Sequence, residues 1–136
     1  EVRAASPIPI MADEACFLPA DAVRLVRAEA CDYFNIKLMK AGGVANAIRI
    51  AHVAAAADIR CMVGCMLESN VALTAAAHVV ASQANIIFAD LDGNADHTVN
   101  PVVGGMTVKA GAVTMPEKPG LGCDVDPAFL KKLRRV

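Results

Sequence analysis

Tryptophan is absent from this chain of 136 residues, and aromatic residues of all kinds make up only 4 %. The apolar share still reaches 56 %, so it consists of Ala, Val, Ile, Leu and Met. That excludes a disordered chain, which is poor in apolar residues and rich in one charge. A dominant charge is missing too: 13 basic residues face 14 acidic ones, for a net charge of −1. A protein that holds nucleic acid mainly by electrostatics needs a basic face, and none is expected here. No apolar run reaches about 18 residues without a charge, so no membrane-spanning helix is expected. Gly-rich phosphate loops and G-x-S-x-G are absent. An initial Met is also lacking, since the chain starts at Glu1. Its length fits one domain, yet so greasy a chain reads as a piece of something larger.

Five cysteines stand at 16, 31, 61, 65 and 123. An odd number in a chain that is not Cys-dense argues against a disulfide framework and for a reducing compartment, hence the cytoplasm. Cys61 and Cys65 form C-x-x-x-C without a second pair or a nearby His. This is a poor zinc motif and reads better as small buried hydrophobes.

Along the chain, short apolar runs alternate with helical periods. Residues 8–12 read as a strand ending in Asp13-Glu14. A helix opens at Pro19, a residue tolerated in a first helical turn. Tyr33–Met39 is the next strand, broken by Gly42-Gly43, and Val44–Ala57 is helical. Arg60–Met66 is a third strand, Asn70–Ser82 an Ala-rich helix, and Asn85–Leu91 a fourth strand. Apolar strands alternating with helices predict an α/β fold with a parallel sheet covered on at least one face. Polar residues at successive strand ends (Asp13, Lys37, Asp90, Asp92) suit the catalytic rim of a barrel. A whole (β/α) barrel takes about 250 residues, so this is about half of one. Residues 94–136 are richer in Gly and Pro. They read as short extended pieces at 102–106 and 112–116, a turn at 119–122 and a helix from Pro127, packed elsewhere than on the barrel wall.

The rim residues carry candidate chemistry, each beside a plainer reading. Adjacent strand residues point to opposite faces, so only one of Asp13 and Glu14 is expected to face a barrel interior. A carboxylate there suits Mg²⁺, a hard cation with oxygen ligands; otherwise it is a solvated strand end. Lys37 sits in an apolar strand and shares a face with Asn35. Burial lowers a lysine pKa and can make it a base; otherwise it reaches solvent. Lys40, on the opposite parity, reads as a surface charge. Asp90 and Asp92 share a strand face and could hold a cation or an ammonium group, although Asp92-Gly93 is also a frequent turn pair. His52 and His78 fall in helices, and His97 has no evident partner.

Taken in order, four stretches resemble the enolase superfamily: Pro9-Ile10-Met11-Ala12-Asp13-Glu14, residues 35–43 (Asn-Ile-Lys-Leu-Met-Lys-Ala-Gly-Gly), residues 61–68 (Cys-Met-Val-Gly-Cys-Met-Leu-Glu), and Asp90-Leu91-Asp92-Gly93. More narrowly they resemble its muconate-lactonising subgroup and the dipeptide epimerases of the L-Ala-D/L-Glu type. Asn100-Pro101-Val102-Val103-Gly104-Gly105-Met106 and Leu121-Gly122 match the tail of that family.

The resemblance implies an α+β capping domain plus a (β/α)₇β barrel. This chain would supply strands 5 to 8 of the barrel (residues 1–93) and a closing segment (94–136) that returns to the absent capping domain. It implies Mg²⁺ held by three carboxylates, with Asp13 matching the third, and two lysines flanking the substrate, with Lys37 matching the second. It implies proton abstraction α to a carboxylate through an enediolate. Asp90 and Asp92 match the pair that holds a dipeptide's α-ammonium, and Cys65 lies near substrate. The first catalytic Lys and the first two metal ligands have no counterpart here. The chain is therefore expected to need its missing half, a second chain or a homo-oligomer. A muconate cycloisomerase-like or other acid-processing member of the superfamily, and an inactive fragment, are the alternatives.

Overall fold

The computed structural model describes residues 1–133. A short helix α1 (Val2–Ala5) leads into β1 (Met11–Ala12), α2 (Pro19–Arg27), β2 (Tyr33–Lys37), the single turn α3 (Leu38–Ala41), α4 (Val44–Ala56), β3 (Arg60–Gly64), α5 (Asn70–Ser82) and β4 (Ile86–Ala89). The four strands form one parallel sheet in the order β1-β2-β3-β4. Alternation of strand and helix thus gives the expected α/β sheet, and all four C-terminal strand ends lie on one edge.

Local chemistry accounts for the boundaries. Pro19 occupies the first turn of α2, and Asp21 accepts hydrogen bonds from the main-chain N–H groups of Phe17 (3.1 Å) and Leu18 (2.7 Å), capping that helix. Gly42, in the left-handed region (φ 75°), ends α3, and Gly43 (φ 115°) caps α4. Only glycine enters such conformations without strain.

The core lies between the sheet and its helices. Phe34 and Ile36 of β2, Cys61 and Val63 of β3, Ile50 of α4 and Leu73 of α5 are fully buried there. Each large side chain so buried contributes about 1.5–3 kcal/mol. The helices present Ala22, Ala47, Ala51, Ala54, Ala76 and Ala77 to this core, all buried. Small residues let helix backbones approach the sheet closely, which explains an apolar mass so poor in aromatics. Cys16, Cys31 and Cys61 are buried as small hydrophobes, and all five cysteines are free. All four expected strands are shorter than read: the first covers only Met11–Ala12, the second stops at Lys37 rather than Met39, the third at Gly64 rather than Met66, and the fourth covers only Ile86–Ala89.

On the opposite sheet face, Tyr33 and Phe88 meet with ring centroids 6.0 Å apart, and Phe88 is 48 % exposed. Among the described residues no helix covers this face, and Phe88 is open to solvent there.

The remaining segment forms β5 (Val102–Gly104), β6 (Thr107–Lys109), β7 (Ala112–Thr114), β8 (Cys123–Val125) and α6 (Pro127–Leu130). β5 pairs antiparallel with β8, and β6 with β7 through Ala110-Gly111, both at positive φ as a two-residue hairpin requires. The segment is fastened to α5. Asn70 Nδ2 donates to the carbonyls of Gly104 (3.1 Å) and Met106 (3.2 Å), and Met106 N–H donates to Thr74 Oγ1 (2.9 Å). Met106 is buried at this junction.

Candidate functional site

Parallel pairing carries Asp13, Lys37, Cys65 and Asp90 to the same edge. Ala12 pairs with Phe34, Lys37 with Gly64, and Val63 with Ala89. Each candidate residue therefore sits at, or one residue beyond, a strand's C-terminal end.

Asp13 is the centre of this edge. Its Oδ2 lies 2.9 Å from Lys37 Nζ and accepts from Asn35 Nδ2 at 3.0 Å. Its Oδ1 accepts a hydrogen bond from Lys40 Nζ. Lys40 also donates to the Asp13 carbonyl at 2.7 Å and lies 3.4 Å from the Asn35 carbonyl. Burial pushes the Asp13 carboxyl up, but hydrogen bonds from Lys40 and Lys37, with their charges, outweigh this and hold it below the ordinary carboxylate range. The group is an anion held by two cations.

Three sequence expectations are corrected here. Lys37 is not turned into a base by burial. Its hydrogen bond to Asp13 outweighs burial and raises the ammonium above its ordinary value. Asp13 and Glu14 do not diverge by strand parity, because β1 ends before them. Both reach Lys37, Glu14 at 3.5 Å. Lys40 is not a surface charge: its side chain is 5 % exposed. Strand parity fails for Lys40 because the chain turns helical at Leu38. That turn swings the side chain back under β1.

Gly64 shapes the same spot. A Cβ there would stand 2.6 Å from Asn35 Oδ1, so the missing side chain makes room for the Asn35 amide. That Oδ1 is buried and has no hydrogen-bond partner among the described residues.

At the other end of the edge, Asp90 and Asp92 lie beyond β4 rather than on it. Asp90 N–H donates to the Val63 carbonyl (2.9 Å), which extends the ladder by one bond, and the Asp92 carbonyl accepts from Ala95 N–H (2.8 Å) in a turn. Both aspartates are exposed. Cys65 Sγ lies 4.0 Å from Asp92 Oδ1. Burial, the larger effect, and the carboxylates of Asp92 and Asp90 push the Cys65 thiol up, so it stays protonated and a weak donor. Gly93 is buried, and a Cβ there would run into the Met66 carbonyl and Cys65 Sγ. Glu68, buried, accepts from Met66 N–H at 3.1 Å and fixes the loop that carries Cys65.

Comparison with known proteins shows the family of this fold. The family model described as enolase C-terminal domain-like matches residues 1–129. The chain belongs to that family. An L-Ala-D/L-Glu epimerase from Clostridium acetobutylicum is 44 % identical over 117 residues, covering 86 % of this chain and 33 % of that protein. An L-Ala-D/L-Glu epimerase from Bacillus subtilis is 42 % identical over 131 residues, covering 96 % and 36 %. A solved dipeptide epimerase from Cytophaga hutchinsonii, complexed with Mg and the dipeptide D-Ala-L-Val, superposes with a TM-score of 0.93 at 40 % identity, covering 98 % of this chain and 36 % of that one. The chain spans about a third of the length of these relatives.

Within the enolase C-terminal domain-like family, the four parallel strands are the C-terminal half of a (β/α)₇β barrel, strands 5 to 8. The donor chemistry of the edge fits Mg²⁺ in part. Asp13 offers an ionised oxygen, the kind of ligand Mg²⁺ takes. Among the described residues, no group of three His, Cys, Asp or Glu side chains could hold a metal. Asp13 can therefore be one ligand, not a complete set. Of the histidines, His52 is exposed on α4, His78 lies half-buried on α5, and His97 lies in the loop before β5.

Proposed function

We propose that this chain acts as the C-terminal part of a Mg²⁺-dependent dipeptide epimerase, which inverts a centre by moving the proton α to a carboxylate through an enediolate. The observation that carries this reading is the Asp13–Lys37 pair, 2.9 Å apart at the ends of adjacent strands. Asp13 would hold the metal through a carboxylate oxygen. When bound, Mg²⁺ supplies the positive charge that so weak a carbon acid needs as the proton leaves. Lys37 is the proton carrier. Paired with Asp13 it is an ammonium and can deliver a proton from Nζ. Its raised pKa comes first from the hydrogen bond to Asp13, a carboxylate that a bound metal would engage. Asp90 and Asp92, two exposed carboxylates beside Cys65, would take the substrate's α-ammonium. A substrate carrying that positive group favours a dipeptide over a muconate-type acid.

The opposing lysine and the remaining metal ligands would come from a preceding part of the enzyme or from a second chain. Either would also cover the open face around Tyr33 and Phe88. In this reading residues 1–93 are barrel, and 94–136 are a closing segment that reaches from α5 toward a capping domain.

The test is α-proton exchange in D₂O with Mg²⁺, followed by NMR on both stereoisomers of an alanyl-glutamate dipeptide. The complete enzyme should exchange both, and Lys37→Met should lose exchange from one. Unchanged uptake from both isomers in Lys37→Met would refute the role. No uptake by the unmutated enzyme would refute the function.

A further inference from the structure

We infer that Lys40 is a positioning residue: it ties down one oxygen of Asp13 and leaves Oδ2 as the single oxygen available to a metal. The inference deepens the reading above and rests on it for the identity of that metal.

An ammonium has three N–H donors. For Lys40 the structure supplies three acceptors, namely Asp13 Oδ1, the Asp13 carbonyl at 2.7 Å and the Asn35 carbonyl at 3.4 Å. Two of the three are main-chain groups. They join the turn after β1 to the end of β2, so the cation holds the backbone of Asp13 as well as its side chain. Nζ also stands 5.7 Å from the centre of the Phe17 ring, within the range of a cation–π contact. With its side chain 5 % exposed, Lys40 is largely shielded from water.

Lys37 is built differently. Among the described residues it meets no main-chain carbonyl, only Asp13 Oδ2 and the exposed Glu14 carboxylate at 3.5 Å. It can leave Oδ2 and keep a partner in Glu14. The two lysines therefore divide the carboxylate: one oxygen is fixed by Lys40, and the other is guarded by a cation that can move. Oδ2 is also steadied by Asn35 Nδ2 at 3.0 Å, so its direction is set from both sides. A carboxylate held in this way coordinates through one oxygen, and partners behind a metal ligand of this kind typically change metal affinity 10–100-fold, as an order of magnitude, when removed.

The experiment is Mg²⁺ titration by calorimetry on the complete enzyme and on its Lys40→Met and Lys37→Met variants, with far-ultraviolet circular dichroism confirming the fold. Lys40→Met should bind Mg²⁺ about tenfold or more weakly, and its kcat should return at saturating Mg²⁺. Lys37→Met should not lose Mg²⁺ affinity. Unchanged affinity in a folded Lys40→Met overturns the role of Lys40 alone. No Mg²⁺ binding by the unmutated enzyme overturns both this role and the proposed function. If Lys40→Met does not fold, lysine ¹⁵Nζ spectra of the unmutated enzyme decide. Lys40 ammonium protons protected from exchange before and after Mg²⁺, with those of Lys37 altered, support the inference. Loss of Lys40 protection on adding Mg²⁺ overturns it.

Discussion

Gly64→Ala tests the packing that orients Asp13. Gly64 lies in β3 without a left-handed backbone, so nothing in its conformation forbids a side chain. In a free pocket, alanine would be favoured over glycine in a strand interior by about 0.5–1 kcal/mol. The pocket is not free. The new Cβ would stand 2.6 Å from Asn35 Oδ1, 3.0 Å from Nδ2 and 3.2 Å from Cγ. Carbon contacts are comfortable at about 3.5–4.0 Å, so the amide must recede by about 1 Å. Asn35 is 5 % exposed, and its Nδ2 is held 3.0 Å from Asp13 Oδ2. Receding breaks that bond. Overpacking costs about 1–3 kcal/mol, and a hydrogen bond to a charged group contributes about 1.5–3 kcal/mol, at the low end for a partly exposed Asp13. The expected loss is about 2–3 kcal/mol. In an Asn35→Ala background the obstruction is gone, and Gly64→Ala should stabilise by about 0.5–1 kcal/mol. The double-mutant cycle should therefore show a coupling of at least about 1.5 kcal/mol. Urea unfolding should be followed by far-ultraviolet circular dichroism, because tryptophan is absent and the chain has a single tyrosine. A stabilising Gly64→Ala, or a loss that persists without Asn35, would refute the reasoning.

Further outcomes can be checked together. Asp32 accepts from Ile10 N–H (2.8 Å) and from Arg3 Nε (2.7 Å), and these bonds hold its carboxyl below the usual range. A depressed pKa stabilises above the unfolded value of about 3.9, and that stability is lost as pH falls through the folded value. Asp32→Asn should thus lower Tm at pH 7 and leave it unchanged once Asp32 is protonated in both the folded and the unfolded state, and equal lowering at both extremes would sink the idea. Burial pushes the Cys61 thiol up to about 12 and Cys16 up to about 11. A thiol-specific reagent near pH 8 should label Cys65 and Cys123 first and reach Cys61 and Cys16 only on unfolding. Native-state labelling of Cys61 at the rate of Cys65 would contradict this. Asp90→Asn with Asp92→Asn in the complete enzyme should weaken dipeptide binding about tenfold or more, which is about 1.4 kcal/mol, with little change in Mg²⁺ affinity. Equal loss of both by calorimetry would show that the pair is misread.

The order of elements was legible in the residues because each has its own period. The apolar runs at β2, β3 and β4 and the alanine-rich stretches of α4 and α5 differ in period, and both survive small errors at their ends. The tail was legible as extended pieces, a turn and a helix from Pro127. Its pairing was not, because Val102 meets Val125 across a long intervening segment and no local signal encodes that partner. The polar grip of Asn70 and Thr74 on Met106 was hidden for the same reason. Within the site, Asp13 and Lys37 stood out as charges at the ends of apolar runs, while Lys40 and Asn35 did not. A boundary misplaced by two residues turned a helical turn into a strand, and with it reversed the side on which Lys40 lies.

The sequence by itself determined the α/β alternation, the free buried thiols and which charges stand at strand ends, since these follow from periodicity, burial preference and local turn chemistry. Only the tertiary structure decided that Asp13 is shared between two lysines, that the hydrogen bond to Asp13 raises Lys37 above its ordinary value, and that Gly64 clears the space for Asn35. Those facts depend on distances between groups far apart in the chain, and parallel pairing of β1, β2 and β3 is what brings them within a hydrogen bond of one another.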